Sequence, residues 1–475
     1  MLHRLSVLVL LIVCAACTPG STAVRSNPST VPTPVSRQPN FLVIVSDDQV
    51  PGTERHMPVV RRRIGSRGLR FTRGFTTDPL CCPSRATILT GLYPHTHGVY
   101  ANGGGASAFE AGGNDARSIG PLLDGAGYRT GVIGKYLNGV RRVTAPGEVP
   151  PGWDTFVSFH ANNGKYYDYD LTVDGVLEHH GDDPGDYSTD VLGQRAMSFL
   201  RADTTEPFFL LFAPYAPHGP FIPAPRHVGD LADLPPRRNP AINEVDVSDK
   251  PPYIRRLAPL SGRQLATIRD RGRGRAEALL SVDQAIGSML DLLRKQGRLH
   301  DTMIVFLSDN GLAEGEHRWR YKEVPYEVSI RIPFLLRYDP LTSTRAGEIE
   351  DRLVLNADLA PTFLELAGVA PPGAMDGRSL VPLLQGGAAG WRGSFLIEYL
   401  RDDRGYRPEV PTYCALRTGR WKYIVYASGY RELYDLENDP YELRNVAGDR
   451  SGVGRRLHRR LEKLCSPPPP GMTFR

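Results

Sequence analysis

The sequence lacks a long basic run, and it lacks a large net charge: 57 Lys and Arg against 52 Asp and Glu leave a formal +5 over 475 residues. That balance allows an anionic substrate but does not point to nucleic acid. Internal repeats are absent, which sets aside repeat architectures. Cysteine is scarce, with six residues, so a dense disulfide scaffold is excluded. The apolar stretch at the start, Leu5 to Val13, is too short to span a bilayer as a permanent helix. What is present is ordinary globular composition, 41% hydrophobic and 23% charged, in a chain long enough for a large core and more than one structural unit.

The N-terminus reads as an export signal. A short basic start, Met1 to Arg4, precedes the apolar run, and Cys14-Ala-Ala-Cys17 follows. Small residues before Cys17 resemble a bacterial lipoprotein cleavage site, in which that cysteine is lipidated. Cys14 stands where Leu is usual, and a plain cleaved signal peptide is the simpler alternative. Residues 1–17 are therefore expected to be a signal segment. Residues 18–39, rich in Ser, Thr, Pro and Val without an apolar period, are expected to be a spacer. The expected location is the cell surface, or the medium if no lipid is attached.

Beyond the spacer, Phe41-Leu-Val-Ile-Val45 is the continuous β-branched run of a strand buried on both faces, and it ends in Ser46-Asp47-Asp48. Met303-Ile-Val-Phe-Leu307 repeats the pattern and ends in Ser308-Asp309-Asn310. Pro207 to Phe212 is a third such run, leading to His218. Ala276 to Leu293 has helical apolar spacing. Strands alternating with helices predict an α/β domain with a mostly parallel sheet, over about residues 40–385. In such sheets, sites form beyond the carboxyl ends of strands, where both acidic pairs and His218 fall. From about residue 386 to 475 the character changes. Phe395–Tyr399, Tyr413–Arg417, Trp421–Tyr426 and Glu432–Tyr434 read as a small antiparallel sheet, with a helix through about Arg455 to Leu464.

Asp47, Asp48, Asp309 and Asn310 are hard oxygen donors from two strand ends. Three carboxylates brought together repel, and a divalent cation relieves that; Ca²⁺ or Mg²⁺ suits all-oxygen ligation. Taken singly, an Asp at a strand end more often merely caps a helix or turn, and it is the two clusters on similar strands that favour the cation. Cys81-Cys82-Pro83-Ser84-Arg85 leads into an apolar helix start, with Pro83 placed for the first turn. Cys81 would then lie at the positive helix end, and Arg85 would add a bidentate donor for sulfate or phosphate. The bland reading of the adjacent cysteines is a vicinal or structural disulfide, and Cys414 with Cys465 is a second possible pair in an oxidising compartment.

Cys81-x-Pro83-Ser84-Arg85-x-x-x-Leu89-Thr90-Gly91 is similar to the signature of the type I sulfatases, in which the first cysteine is oxidised to Cα-formylglycine. Asp47-Asp48, Gly134-Lys135, Pro217-His218, Asp309-Asn310-Gly311, Lys322 and Leu433-Tyr434-Asp435 follow that family's order, so the resemblance runs from Asn40 to about Ala447. Leu80 to Arg85, Gly134-Lys-Tyr-Leu-Asn138, Pro150 to Asp154, Lys165 to Leu171 and Tyr187 to Leu192 resemble the branch containing N-acetylglucosamine-6-sulfatase and the heparan endosulfatases.

The resemblance implies an alkaline-phosphatase-like fold. It also implies one cation, Ca²⁺ or Mg²⁺, on Asp47, Asp48, Asp309, Asn310 and the modified Cys81. A formylglycine-generating enzyme is the implied maturation partner, and a sulfated glycan or small sulfate ester the implied substrate. Arg85, Lys135 and Lys322 would hold the sulfate oxygens, and His218 would protonate the leaving alcohol. His95 and His97 are expected to be supporting residues, and His317 either faces substrate or packs. Where many sulfatases carry a histidine two positions after the lysine, this chain has Leu137, which leaves one proton acceptor unassigned. Pro223 to about Gly274 reads as a rim or lid. Two readings compete: a phosphodiesterase or phosphonate monoester hydrolase of the same superfamily, and a non-catalytic glycan-binding lipoprotein.

Overall fold

The apolar run at residues 41–45 forms a strand covered on both sides. Asn40–Ser46 (β1) sends Phe41, Val43 and Val45 into one core and Leu42 and Ile44 into another. The computed structural model describes residues 38–140, 148–160, 164–202, 205–402 and 408–474. The expected signal segment, Cys17 and the spacer up to residue 37 lie outside the described residues. Among the described residues no helix is long and apolar enough to cross a membrane.

In chain order β2 (Leu69–Phe71), β3 (Gly74–Phe75), β4 (Arg129–Gly134), β5 (Thr155–Phe159), β6 (Tyr169–Val173), β7 (Val176–His180), β8 (Phe208–Ala213), β9 (Thr302–Ser308), β10 (Phe334–Arg337), β11 (Ile349–Glu350) and β12 (Val354–Leu355) follow. Ten of these twelve strands form one sheet, in the order β11-β2-β10-β9-β1-β8-β4-β5-β6-β7. Its centre, β9-β1-β8-β4-β5, is parallel, and antiparallel strands flank it. The expected mostly parallel α/β domain is therefore present. Leu192 and Leu200 of the helix Ser188–Arg201, with Leu279, Ile286 and Leu290 of the helix Gly262–Lys295, cover one face. Ile88 and Leu89 of the helix Cys81–Thr90 and Phe363 of the helix Leu359–Ala367 cover the other.

The long helix begins at Gly262, well before the periodic stretch from Ala276. Ser261 caps it, its hydroxyl accepting from the Gln264 amide while the Gln264 side chain accepts from the Ser261 amide. Its first turns carry Arg263, Arg269, Arg271 and Arg273 and bury no apolar stripe, so hydrophobic spacing does not reveal them.

The C-terminal strands β13 (Ser394–Tyr399), β14 (Tyr413–Thr418), β15 (Trp421–Tyr426) and β16 (Arg431–Asp435) form an antiparallel meander. One face, with Phe395, Ile397, Tyr413 and Ile424, packs on Leu80, Trp319 and Tyr326, next to Cys81 and Lys322 in the chain. The other face lies under Leu457 and Leu461 of the helix Ser451–Leu464. Cys414 and Cys465 are joined there by a disulfide.

Candidate active site

Register places the acids. Ser46 pairs with Ser308 at the ends of β1 and β9, so Asp47-Asp48 and Asp309-Asn310 leave the sheet side by side. The Asp48 amide donates to Asp309 Oδ1 at 3.1 Å, which ties the two strand ends together. All four residues are buried.

Cys81 opens the helix Cys81–Thr90 directly above them, and Pro83 occupies its first turn, where no amide hydrogen bond is lost. Cys81 Sγ lies 3.7 Å from Asp47 Oδ1 and 3.9 Å from Asp48 Oδ1, and Lys322 Nζ is 2.7 Å from the sulfur. Lys322 Nζ also donates to Asp48 Oδ1 at 2.6 Å, and Lys135 Nζ to Asp47 Oδ2 at 2.6 Å. Arg85, one turn into the helix, donates from Nε to Asp309 Oδ2 at 2.9 Å and from a terminal nitrogen to the Lys135 carbonyl at 2.6 Å. Its other terminal nitrogen is 2.9 Å from Asp309 Oδ2 but lacks hydrogen-bond geometry, so one buried N–H face stays available. Of the nine residues expected at the site, eight form this one buried cluster. The ninth, His218, stands at its edge: Nε2 is 3.4 Å from Asp48 Oδ2, and the side chain is 27% exposed.

Burial alone would raise the carboxyls of Asp47 and Asp48. Lys135, His218 and Arg85 outweigh it at Asp47, Lys322 and His218 at Asp48, and both are held below the ordinary range. Burial disfavours the charge on Lys135, but Asp47 reverses this and holds the ammonium. The Cys81 thiol is pushed up to about 12 by burial, against the pull of Lys135 and Lys322, so an unmodified Cys81 is a neutral thiol.

The donor set fits a hard divalent cation. Asp47, Cys81 and Asp309 each bring a ligand atom within 4.8 Å of the others. Asn310 donates from Nδ2 to Asp48 Oδ1, and its Oδ1 is buried without a hydrogen-bond partner. A buried carbonyl oxygen left unpaired among carboxylates is the arrangement that an oxygen-seeking ion satisfies.

Several residues have supporting positions that sequence reasoning did not assign. Ser84 Oγ donates to the Asp309 carbonyl and accepts from Asn356 Nδ2 at 2.9 Å, locking the helix start to the end of β9. Tyr166 donates to the His218 carbonyl at 2.8 Å, and the Tyr215 ring lies 4.8 Å from the imidazole. No spacing signal marks these partners, because they converge only in three dimensions. His317 packs, with Nδ1 2.6 Å from Glu244 and its ring against Tyr326. His97 bonds Thr87 and Val99, and burial pushes it down to about 3, so it stays neutral and structural. Cys81 and Cys82 are both free thiols, and Cys82 points instead towards Gly105, where an added Cβ would sit 2.1 Å from its sulfur. Leu137 is buried in the core, and among the described residues the Cys81 sulfur has Asp47, Asp48 and Lys322 within hydrogen-bond distance.

A cavity of about 440 Å³ opens onto Asp48 and His218. Gln264, Thr267 and Arg271 from the first turns of the long helix form one wall, so part of the segment expected as a rim does reach the site.

The Sulfatase family profile matches residues 39–369, and the profile described as N-sulphoglucosamine sulphohydrolase, C-terminal, matches residues 315–466. The extracellular sulfatase SULF-1 homolog of Drosophila melanogaster is 34% identical over 375 residues, which are 76% of this chain but 33% of that protein. The chain thus spans about a third of that relative's length. The N-acetylglucosamine-6-sulfatase of Capra hircus is 32% identical over 454 residues, 87% of this chain and 80% of its own. A solved structure of a protein in complex with its substrate D-glucosamine-2-N,6-O-disulfate superposes with a TM-score of 0.78 at 26% identity, covering 92% of this chain and 100% of that one. The profile match takes in the strands that carry both acidic pairs, the helix that starts at Cys81, and the loop of His218, and on that ground the chain belongs to the sulfatase family.

Proposed function

We propose that this chain is an exported sulfatase that hydrolyses a sulfate ester on a sulfated glucosamine unit of a glycan. Its nucleophile would derive from Cys81 converted to formylglycine, and Asp47, Asp48, Asp309 and Asn310 would hold Ca²⁺ or Mg²⁺. The observation that carries the reading is one buried position, Cys81, at a helix start, within reach of two carboxylates and a lysine. Relatives named for extracellular action or for N-acetylglucosamine-6-sulfate support the location and the substrate class. The apolar start of the sequence supports export, by lipoprotein or plain signal.

Formylglycine at position 81 would supply a hydrated aldehyde as the oxygen nucleophile. A cation on the four oxygen donors would favour the ionised form of that nucleophile and relieve the carboxylate repulsion. The chain's own residues do the rest. Three carboxylates balance Arg85, Lys135 and Lys322, so a divalent ion would leave the pocket with two net positive charges, suited to an anionic ester and its developing charge. Arg85, Lys135 and Lys322 would orient the sulfate oxygens, and the free N–H face of Arg85 is available without breaking its bond to Asp309. Lys322 spans Asp48 and position 81 and is placed to carry a proton between them. His218 lies at the cavity edge, where the leaving alcohol departs, and its Nδ1 is 2.9 Å from the Gly219 carbonyl, which fixes the ring.

The test is sulfate release from an aryl sulfate and from N-acetylglucosamine-6-sulfate by the matured protein, with the corresponding phosphate and phosphonate esters alongside. Sulfate turnover that is lost on chelation and restored by Ca²⁺ is expected. Preferential cleavage of the phosphorus esters would replace this reading with that of a phosphohydrolase.

A further inference from the structure

The cavity over Asp48 and His218 has more positive charge on its walls than a single sulfate requires. Arg85, Lys135 and Lys322 are buried below, each bonded to an acid of the site. The cavity lining has its own charges: Asp48 and Glu314 are acidic, and Arg271, Arg275 and Arg320 are basic. Glu314 is answered by Arg275 and by Arg237, and the Arg275 guanidinium, nearly fully buried, also lies over the Phe221 ring at 4.4 Å. Asp48 is answered by Lys322. Arg271 and Arg320 are exposed and have no acidic group at ion-pair distance among the described residues. They come from different elements, one from the long helix and the other from the loop that leads to Lys322, yet both line the same cavity as His218. Two uncompensated guanidiniums facing one pocket are a site for a second anion.

We infer that Arg271 and Arg320 form a second anion subsite, which selects substrates with another negative group beside the ester that is cleaved. This rests on the sulfatase reading and names its specificity. The ligand chemistry is a sulfate or carboxylate oxyanion held by planar guanidinium donors. It has two sources: an N-sulfate on the same sugar, or the carboxylate of a neighbouring uronic acid. Gln264 and Thr267 are on the same wall. The side-chain oxygen of Gln264 is taken by the Ser261 cap and the hydroxyl of Thr267 donates to the Arg263 carbonyl, which leaves the Gln264 amide nitrogen and the Thr267 oxygen to suit sugar hydroxyls.

The test uses the full chain in two forms. In a Cys81→Ala variant, which binds without turnover, titration calorimetry compares N-acetylglucosamine-6-sulfate, glucosamine-2-N,6-O-disulfate, and a 6-sulfated disaccharide with an adjacent uronate. At least one dianionic ligand should bind about tenfold more tightly than the monoanionic one, and the ligand that gains identifies the source. The preference should shrink as salt rises, because the subsite is solvent-exposed. In matured enzyme, Arg271→Gln and Arg320→Gln should each lower the dianionic-to-monoanionic ratio of kcat/KM by roughly threefold, and together by about tenfold. Arg263→Gln, exposed on the same helix but outside the cavity, should leave the ratio unchanged. Equal binding of all three ligands, or a ratio unmoved by the paired substitution, overturns the subsite. If the dianion preference appears in binding while matured protein fails to cleave even an aryl sulfate, the subsite stands and the sulfatase reading falls.

Discussion

Each charged residue at the centre answers a specific neighbour, so single substitutions there should have separable effects. His218 stands at the edge of the centre, beside Asp48, and faces the cavity, which suits a proton donor to the departing alcohol. His218→Ala should lower kcat on a sugar 6-sulfate by about 10²–10⁴, because an alkoxide leaves poorly without a proton. The loss on p-nitrophenyl sulfate should be far smaller, since that phenolate needs little help. Equal losses on both substrates would instead mean that His218 only shapes the pocket. Gly134 matters through its neighbour. Its φ of +115° suits glycine, and an added Cβ would lie 2.0 Å from the Ala213 carbonyl, the group that accepts from the Lys135 amide. Gly134→Ala should push the end of β4 away from β8 and move Lys135 off Asp47. A fall in kcat/KM of roughly a hundredfold together with a lower urea midpoint is the expected result. Unchanged kinetics would show that Lys135 does not need its strand-end position.

Elements with a strong apolar period were readable in the sequence, and those held by tertiary contacts were not. β1 and β9 could be read because a strand covered on both faces is apolar at every position, and their acidic ends followed by the rule for parallel sheets. The first turns of the long helix could not, since their arginines face solvent or the cavity and their start rests on the Ser261 cap. The C-terminal meander was readable as strands, but not its docking on Trp319 and Tyr326, which backs the Lys322 loop. Two predictions belong to this meander. The Cys414–Cys465 bridge closes a separation of 51 residues, so replacing both cysteines by alanine should cost about 4 kcal/mol on loop entropy. An unchanged denaturation midpoint would deny the bridge that role. On the other side, Glu327 is half-buried, which alone would raise its carboxyl, yet Arg417 and Lys422 hold it at about 2 instead of 4.5. A carboxyl depressed on folding stabilises fully above about 4.5, and that stabilisation is lost as pH falls from there towards 2. Urea midpoints of wild type and Glu327→Gln should therefore converge over that window, and a constant gap would contradict the pairing.

At the scale of the whole molecule, the sheet acts as a device that brings distant segments to one edge. Strand ends at residues 46, 134, 213 and 308 deliver Asp47, Lys135, the His218 loop and Asp309, while the helix at Cys81 closes the site from above. The sequence motifs named these residues, but the contacts among them, such as the bond of Lys322 to both Asp48 and Cys81, come from register and loop docking that no local pattern encodes. A cation on this constellation should stabilise the native chain alone, so Ca²⁺ at about a hundred times its dissociation constant should add about 2.7 kcal/mol. Asp309→Ala should abolish that response in a thermal melt, and a response that persists would place the ion elsewhere. Cys81 is the position on which the catalytic chemistry turns. Expressed with and without a formylglycine-generating enzyme, the protein can be digested and the peptide containing Cys81 weighed. The mass of an aldehyde in place of the thiol, with aryl sulfate turnover rising in proportion to its yield, is the predicted result. An unmodified Cys81 in protein that turns over sulfate esters at full rate, or full conversion with no turnover in added Ca²⁺, would contradict it.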